Sequence, residues 1–268
     1  MSKCNAADVW GSVESIRKLS PVVHNITNYV VMNTTANALL AIGASPVMAH
    51  AQEEMDEMVG IASALVVNIG TLSREWIKAM FKAAEKANVR NIPVILDPVG
   101  AGATSFRTET AREFIKAFRP SVIRGNASEI MSVYENTGKT KGVDSTNASH
   151  DAVSAGMSIN EDYGSVVCIS GETDYVIDAG RTIKIGNGHQ MMTRVTGLGC
   201  TATALCGAFA TVNENRAQAA AHAMAVMGIA GEIAADHASG PGTLQVGFYD
   251  ALFNLSIDDI RQRLKVEY

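Results

Sequence analysis

The residues able to do chemistry fall in short clusters spread along the chain. Asp97 ends the apolar run Pro93–Asp97 and precedes Pro98 and Gly100-Ala101-Gly102. A carboxylate there can hold Mg²⁺ through water while phosphate oxygens complete the shell; equally, Asp-Pro can simply stop a strand. Arg124-Gly125-Asn126-Ala127-Ser128-Glu129 joins a strand to a helix. Asn126 and Glu129 have the spacing of a capping box with Asn in place of Ser. The functional alternative puts Glu129 near a cation and Arg124 on phosphate, whose oxygens match its fork. Thr196-Gly197-Leu198-Gly199-Cys200-Thr201 opens a helix. Its glycines let backbone N–H groups approach an anion at the positive end of that helix. Cys200, in the first turn, is a candidate base or nucleophile, since a helix N-terminus can lower a thiol pKa; the plain alternative is a small buried residue.

Two further clusters suit less charged ligands. His24-Asn25-Ile26-Thr27-Asn28 follows the first candidate strand. Its amides and hydroxyl fit a neutral, hydrogen-bonding ligand, and equally a turn or cap. Met48, after the second strand, reads either as a flexible pocket wall or as core. Ile169-Ser170-Gly171-Glu172 could line a nucleotide pocket or form a hairpin leading back through Thr173-Asp174-Tyr175. No Walker P-loop is present, and Gly197-x-Gly199-x-x-Ala202 meets only the loose dinucleotide fingerprint, with no strand-ending acid about 20 residues on. His50, His150, His189, His222 and His237 have no partner four residues away, so they make no metal case.

These clusters need a frame. Short apolar runs at Val22–Asn25, Pro46–Ala49, Ala64–Gly70, Pro93–Pro98, Ser121–Arg124, Ser165–Ser170 and Tyr175–Asp178 predict strands. Helical spacing separates them, clearest at Ser73–Asn88, where Trp76, Ile77, Met80, Phe81 and Ala84 share a face behind Ser73 as cap. Runs such as Leu65-Val66-Val67 and Val94-Ile95-Leu96 are apolar throughout, as strands covered on both faces are. The alternation predicts an α/β fold with a mostly parallel sheet, whose ligands bind beyond the carboxyl ends of the strands. From Gly197 the pattern turns Ala-rich, with helices predicted at Gly199–Thr211, Ala217–Ala235 and Leu244–Leu255, a bundle laid on the sheet. With no linker or repeat, residues 1–268 read as one domain.

Composition removes other classes. Of 268 residues, 47% are hydrophobic, 18% charged and 6% aromatic, with a net charge of −5. That excludes disorder and, without a basic run, disfavours a nucleic-acid partner. Met1–Trp10 lacks the apolar core of a signal peptide. Cys4, Cys168, Cys200 and Cys206 have no C-x-x-C spacing and read as free thiols of a reducing cytoplasm. No Lys, Arg, Asp or Glu occurs from Leu19 to Gln52 or from Val195 to Asn213. A membrane span is rejected for both: the first stretch holds Pro21, Pro46, two His and four Asn, the second opens on Thr-Gly-Leu-Gly, and neither has a Lys/Arg-rich flank.

Together, His24-Asn25-Ile26-Thr27-Asn28, the run from Asn37 to Met48, Asn68-Ile69-Gly70-Thr71-Leu72, Leu96-Asp97-Pro98-Val99, Ile123 to Ile130, Ser170 to Tyr175 and Gly197-Leu198-Gly199-Cys200 resemble the hydroxyethylthiazole kinase family. The resemblance runs from about Pro21 to about Leu255. It implies a ribokinase-like α/β fold, a homotrimer with the thiazole site between neighbouring subunits, and a reaction. ATP would phosphorylate the primary alcohol of 5-(2-hydroxyethyl)-4-methylthiazole, giving the ester used to assemble thiamine. By position, Met48, Gly197 and Asn28 would contact the thiazole. Arg124, Ser170, Asn126 and Gly199 would serve ATP, and Asp97 and Glu129 the Mg²⁺ and phosphate region. Cys200 would stand where related sugar and vitamin kinases carry the Asp that accepts the alcohol proton. A thiol is mostly protonated at pH 7, so Cys200 is expected to assist without being indispensable. The alternatives are a kinase for hydroxymethylpyrimidine or pyridoxal, an NAD oxidoreductase, and a ligand-binding relative without turnover.

Overall fold

The computed structural model describes residues 4–134 and 145–268. The stretch through Thr140 and Gly142, where the sequence resembles nothing diagnostic, lies outside these residues. In chain order the elements are α1 (Ala6–Leu19), β1 (Val22–Ile26), α2 (Met32–Ile42), β2 (Ser45–Met48), α3 (Met55–Ile61), β3 (Ala64–Asn68), α4 (Arg74–Val89), β4 (Val94–Asp97), α5 (Ser105–Phe118), β5 (Val122–Asn126), α6 (Ala127–Tyr134), α7 (Ser145–Tyr163), β6 (Val166–Ser170), β7 (Asp174–Asp178), β8 (Arg181–Ile185), α8 (Leu198–Val212), α9 (Arg216–His237), α10 (Pro241–Asn254), α11 (Ile257–Arg263) and β9 (Val266–Glu267).

The strands form one sheet in the order β2-β1-β3-β4-β5-β6-β7-β8-β9. β2 through β6 in that order are parallel, and β7, β8 and β9 extend the edge antiparallel. The expected mostly parallel sheet flanked by helices is therefore observed. Side chains alternate between the two faces with period two. Val23, Val66, Ile95 and Val122 point into a core built with α1, α2 and α8 to α10. Leu65, Val67, Leu96 and Ile123 point into a second core with α3 to α7. The Ala-rich C-terminal part does lie on the sheet. A Cβ on Gly207 would come within 2.6 Å of Val66 and 3.3 Å of Val23, so α8 rests on β3 and β1 at a distance only glycine allows.

The structure adds elements that the sequence reading did not place. Residues before Ser20 form α1, capped by Asn5. The first uncharged stretch contains α2, which ends at Gly43 in the left-handed region with φ 102°. β8 and β9 were not expected: Arg181–Ile185 carries two charges, and Val266–Glu267 is two residues long, so neither stands out by hydrophobicity. Among the described residues no helix is long and apolar enough to cross a membrane.

Candidate active site

The parallel strands end side by side, and their last residues carry the polar groups. Asn28 follows β1, Asn68 ends β3 and Asp97 ends β4, with Asn68 and Asp97 in register. β5 supplies Arg124 and β6 ends on Ser170, in register with Asn126. The N-terminus of α8 points into the same space. It has no side-chain cap, and Gly197 takes φ 82° to start it. Its first N–H groups therefore lack helical acceptors and favour an anion. A Cβ on Gly197 would meet Val31 at 2.6 Å.

One hydrogen-bond network ties these ends together. The Asn28 amide donates to Asn68 Oδ1 at 2.9 Å and reaches Cys200 Sγ at 3.5 Å. Asn68 Nδ2 and Thr203 Oγ1 each donate to Asp97 Oδ2 at 2.8 Å. Asp97 is 1% exposed. Burial pushes its pKa up to about 6, against the pull of Arg124 and Thr203. Arg124 Nη1 donates to the Gly199 carbonyl at 2.9 Å. A Cβ on Gly199 would sit 3.2 Å from that nitrogen, which explains the second glycine of the loop.

Cys200 is half-buried. Burial, then Asp97, push its thiol up to about 11. At neutral pH it carries its proton, which removes the thiolate reading. Glu129 makes the capping box in full: its Oε2 accepts from Asn126 N at 2.8 Å while Asn126 Oδ1 accepts from Glu129 N at 2.9 Å. Its other oxygen accepts from Gly100 N at 2.9 Å, so one carboxylate ties the loop after β4 to that after β5. Glu129 also adds to the upward push on Asp97, so the two carboxylates share one field. Asn126 itself is exposed.

A cavity of about 750 Å³ opens on the Arg124 side, lined by Arg124, Ser170, Asp174, Gly199, Met224 and Met227 among others. Ser170-Gly171 is at once the hairpin between β6 and β7 and part of this lining. Asp174 caps the turn by accepting from Gly171 N at 3.1 Å, and burial pushes its pKa up to about 6. On the other flank, half-buried Met48 ends β2 beside Asn25. The exposed Tyr29 and Val30 follow Asn28, and Tyr29 packs tilted against Trp76 at 5.0 Å between ring centroids. His24 is buried with Nε2 against the Ala49 carbonyl at 2.9 Å, and Asn25 turns back to Val23 O. His24 Nδ1 and Asn25 Oδ1 are buried with no hydrogen-bond partner among the described residues.

The structure thus gathers Asn28, Asp97, Arg124, Gly199 and Cys200, with Ser170 and Glu129 adjoining. The sequence pattern does not single out Asn68, Thr203 or Asp174. Asn68 was available from its place alone, since it ends a strand as Asp97 does. Thr203 lies one helical turn beyond Gly199, on the face α8 turns to Asp97.

A model of the hydroxyethylthiazole kinase family matches residues 13–258. The hydroxyethylthiazole kinase of Syntrophus aciditrophicus is 62% identical over 260 residues, 97% of this chain and 96% of that one. The solved hydroxyethylthiazole kinase protein of Pyrococcus horikoshii OT3 matches at TM-score 0.89 and 42% identity, covering 97% and 98% of the two chains. The pyridoxal kinase of Staphylococcus aureus matches at TM-score 0.65 with 16% identity over 92% of this chain and 98% of that one, a likeness of fold alone. The architecture is that of the ribokinase-like kinases. Sheet, strand-end network and relatives agree along almost the whole sequence: the chain belongs to the hydroxyethylthiazole kinase family and carries its activity, phosphorylation of hydroxyethylthiazole with ATP as co-substrate.

Proposed function

We propose that the nucleotide occupies the cavity beside Arg124 and that the alcohol lies on the Asn28 side, with transfer across the N-terminus of α8. The observation that carries this is the joint convergence of Asp97, Arg124 and Cys200 on an uncapped helix end. The uncapped N–H groups and Arg124 hold the γ-phosphoryl group, and Ser170 lies along the nucleotide. Met48, Asn28 and Gly197 shape the thiazole pocket. The product ester serves thiamine assembly. The Asp97 and Glu129 carboxylates fit a hydrated Mg²⁺. Both described hydrogen bonds to Asp97 go to Oδ2, so Oδ1 is left for a further partner, and such ions use one or two carboxylates besides phosphate. Bound Mg²⁺ would offset charge on the phosphate oxygens. Residues 1–268 act as a single domain.

The alcohol oxygen attacks the γ-phosphorus in line, the bond to the ADP oxygen breaks, and the alcohol proton leaves late, to a phosphoryl oxygen. The transition state is loose, so positioning outweighs a strong base. Cys200 contributes as a protonated thiol beside the alcohol. Cys200→Ala is therefore expected to lower kcat by about tenfold, the loss of one modest contact, with KM for ATP unchanged. Complete loss of turnover in a folded Cys200→Ala protein would overturn this role.

Exposed Tyr29, Val30 and Leu40 near the β2 edge, and Val246 and Phe253 on α10, which packs on α2, support a homotrimer that closes the open flank of the thiazole pocket. Four free cysteines fit a cytoplasmic setting. One preparation tests the reading. ADP release with MgATP should occur with hydroxyethylthiazole and not with hydroxymethylpyrimidine or pyridoxal, and sedimentation equilibrium should return three times the chain mass. Release with another alcohol instead, or a monomer at full activity, argues against it.

A further inference from the structure

The far wall of the nucleotide cavity is the segment 186–193, and it is seated on α9 in an unusual way. A Cβ on Gly228 would come within 2.6 Å of the Asn187 backbone, and one on Gly231 within 2.2 Å of Met192 Sδ. The two glycines, one turn apart, form a notch that admits the wall against the helix backbone. The next residue, Glu232, is buried and grips it. Its Oε1 accepts from Asn187 Nδ2 at 3.1 Å, from Gly188 N at 3.0 Å and from Lys265 Nζ at 2.9 Å. Asn187 is held from its other side by the chain end: its amide donates to Arg263 O at 2.7 Å, and its Oδ1 accepts from Lys265 N at 2.9 Å. Asn187, Gly188 and Met192 line the cavity, as do Met227 and Gly228 of α9. Glu232 itself is not among the lining residues.

We infer that Glu232 is a positioning residue for nucleotide binding: together with the Gly228/Gly231 notch and the Arg263–Lys265 segment, it latches the cavity wall in its binding shape. The inference rests on the nucleotide reading of the cavity. A wall already fixed costs little ordering when ATP arrives, so the latch acts on affinity and leaves the transfer step alone. The groups beside the alcohol, Asn28 and Cys200, sit after β1 and on α8.

The test is kinetics of Glu232→Ala and Glu232→Gln, with MgADP binding by calorimetry. In Glu232→Ala, KM for ATP and Kd for MgADP should rise about tenfold, while kcat at saturating ATP and KM for the alcohol stay within about twofold. Glu232→Gln keeps an oxygen acceptor for the two N–H donors of the wall, so it should recover most of the loss. If Glu232→Ala does not fold, Gly231→Ala, whose Cβ would displace Met192 of the wall from outside the cavity lining, carries the same expectation. A folded Glu232→Ala with wild-type MgADP affinity overturns the latch, as does an equal rise in KM for both substrates. Met227→Trp, which fills the cavity, separates the two readings. If it blocks MgADP while Glu232→Ala does not weaken it, the latch alone fails; if Met227→Trp binds MgADP normally, the cavity assignment fails first.

Discussion

Asp97→Asn is expected to lower kcat about a thousandfold and, in the same protein, to flatten the fall of folding stability with rising pH. The two effects have one origin. The Asp97 carboxylate is buried, and its pKa rises from the ordinary 3.8 to about 6, first through burial. That shift corresponds to about 3 kcal/mol of folding stability given up when the group is ionised. The sign follows from the proton count. Below pH 3.8 both folded and unfolded chains hold the proton and nothing is lost. Between there and about pH 6 the folded state keeps a proton that the unfolded chain releases, so stability falls as pH rises. Asp174 acts in the same direction and window, also through burial. Asn at position 97 keeps one oxygen acceptor for Asn68 and Thr203 and carries no charge. Denaturant titrations at several pH values should therefore show part of the downward slope abolished in Asp97→Asn, with the remainder due to Asp174. A kcat within tenfold of wild type would remove Asp97 from the phosphate region, and a pH slope unchanged from wild type would contradict the burial argument.

Removing Arg124 should cost both activity and stability. Its guanidinium is buried among Asp97, Asp174 and the Gly199 carbonyl. Arg124→Ala leaves two buried carboxylates without their cation and one carbonyl without its donor. Losing one partner of a buried charge cluster costs about 3–5 kcal/mol, and loss of the phosphate fork should lower kcat/KM for ATP by on the order of a thousandfold. Arg124→Lys separates the two. A lysine restores the charge but neither the planar fork nor a second donor in fixed geometry. The thermal midpoint should largely recover while KM for ATP stays high. Full recovery of both would mean that Arg124 matters as charge alone.

How much of this is legible in the sequence depends on the kind of signal. The parallel strands announce themselves because both faces are covered, and a run such as Val94-Ile95-Leu96 has no other reason to be apolar throughout. The α8 loop is legible because glycine in a left-handed start is a demand of the backbone itself, while Gly199 lies against the Arg124 side chain. Glu129 shows the limit of spacing. The capping and cation readings use the same residues at the same interval, and the structure makes the cap without removing the carboxylate from the field of Asp97. Asn68 and Thr203 are hidden for a different reason. Each is an ordinary polar residue, and only the sheet register and the helix turn bring both onto one carboxylate oxygen. The thiol of Cys200 misleads in the opposite direction. Its place at a helix N-terminus suggests a lowered pKa, and burial next to Asp97 outweighs the helix. The Glu232 latch is beyond sequence reading, because its partners lie 44 residues and 33 residues away along the chain.

The α8 N-terminus has no side-chain cap, and the groups it offers to a ligand belong to the main chain. A grip made of peptide N–H groups is indifferent to which side chains the loop carries, provided Gly197 and Gly199 keep their shape. If the α8 end holds phosphate as proposed, position 200 is free to change chemistry without loss of phosphate affinity. The loop separates what must be inherited, a backbone conformation, from what can be exchanged, the side chain that meets the acceptor. Kinases for different alcohols could diverge from one scaffold by editing that single position and the pocket beyond it.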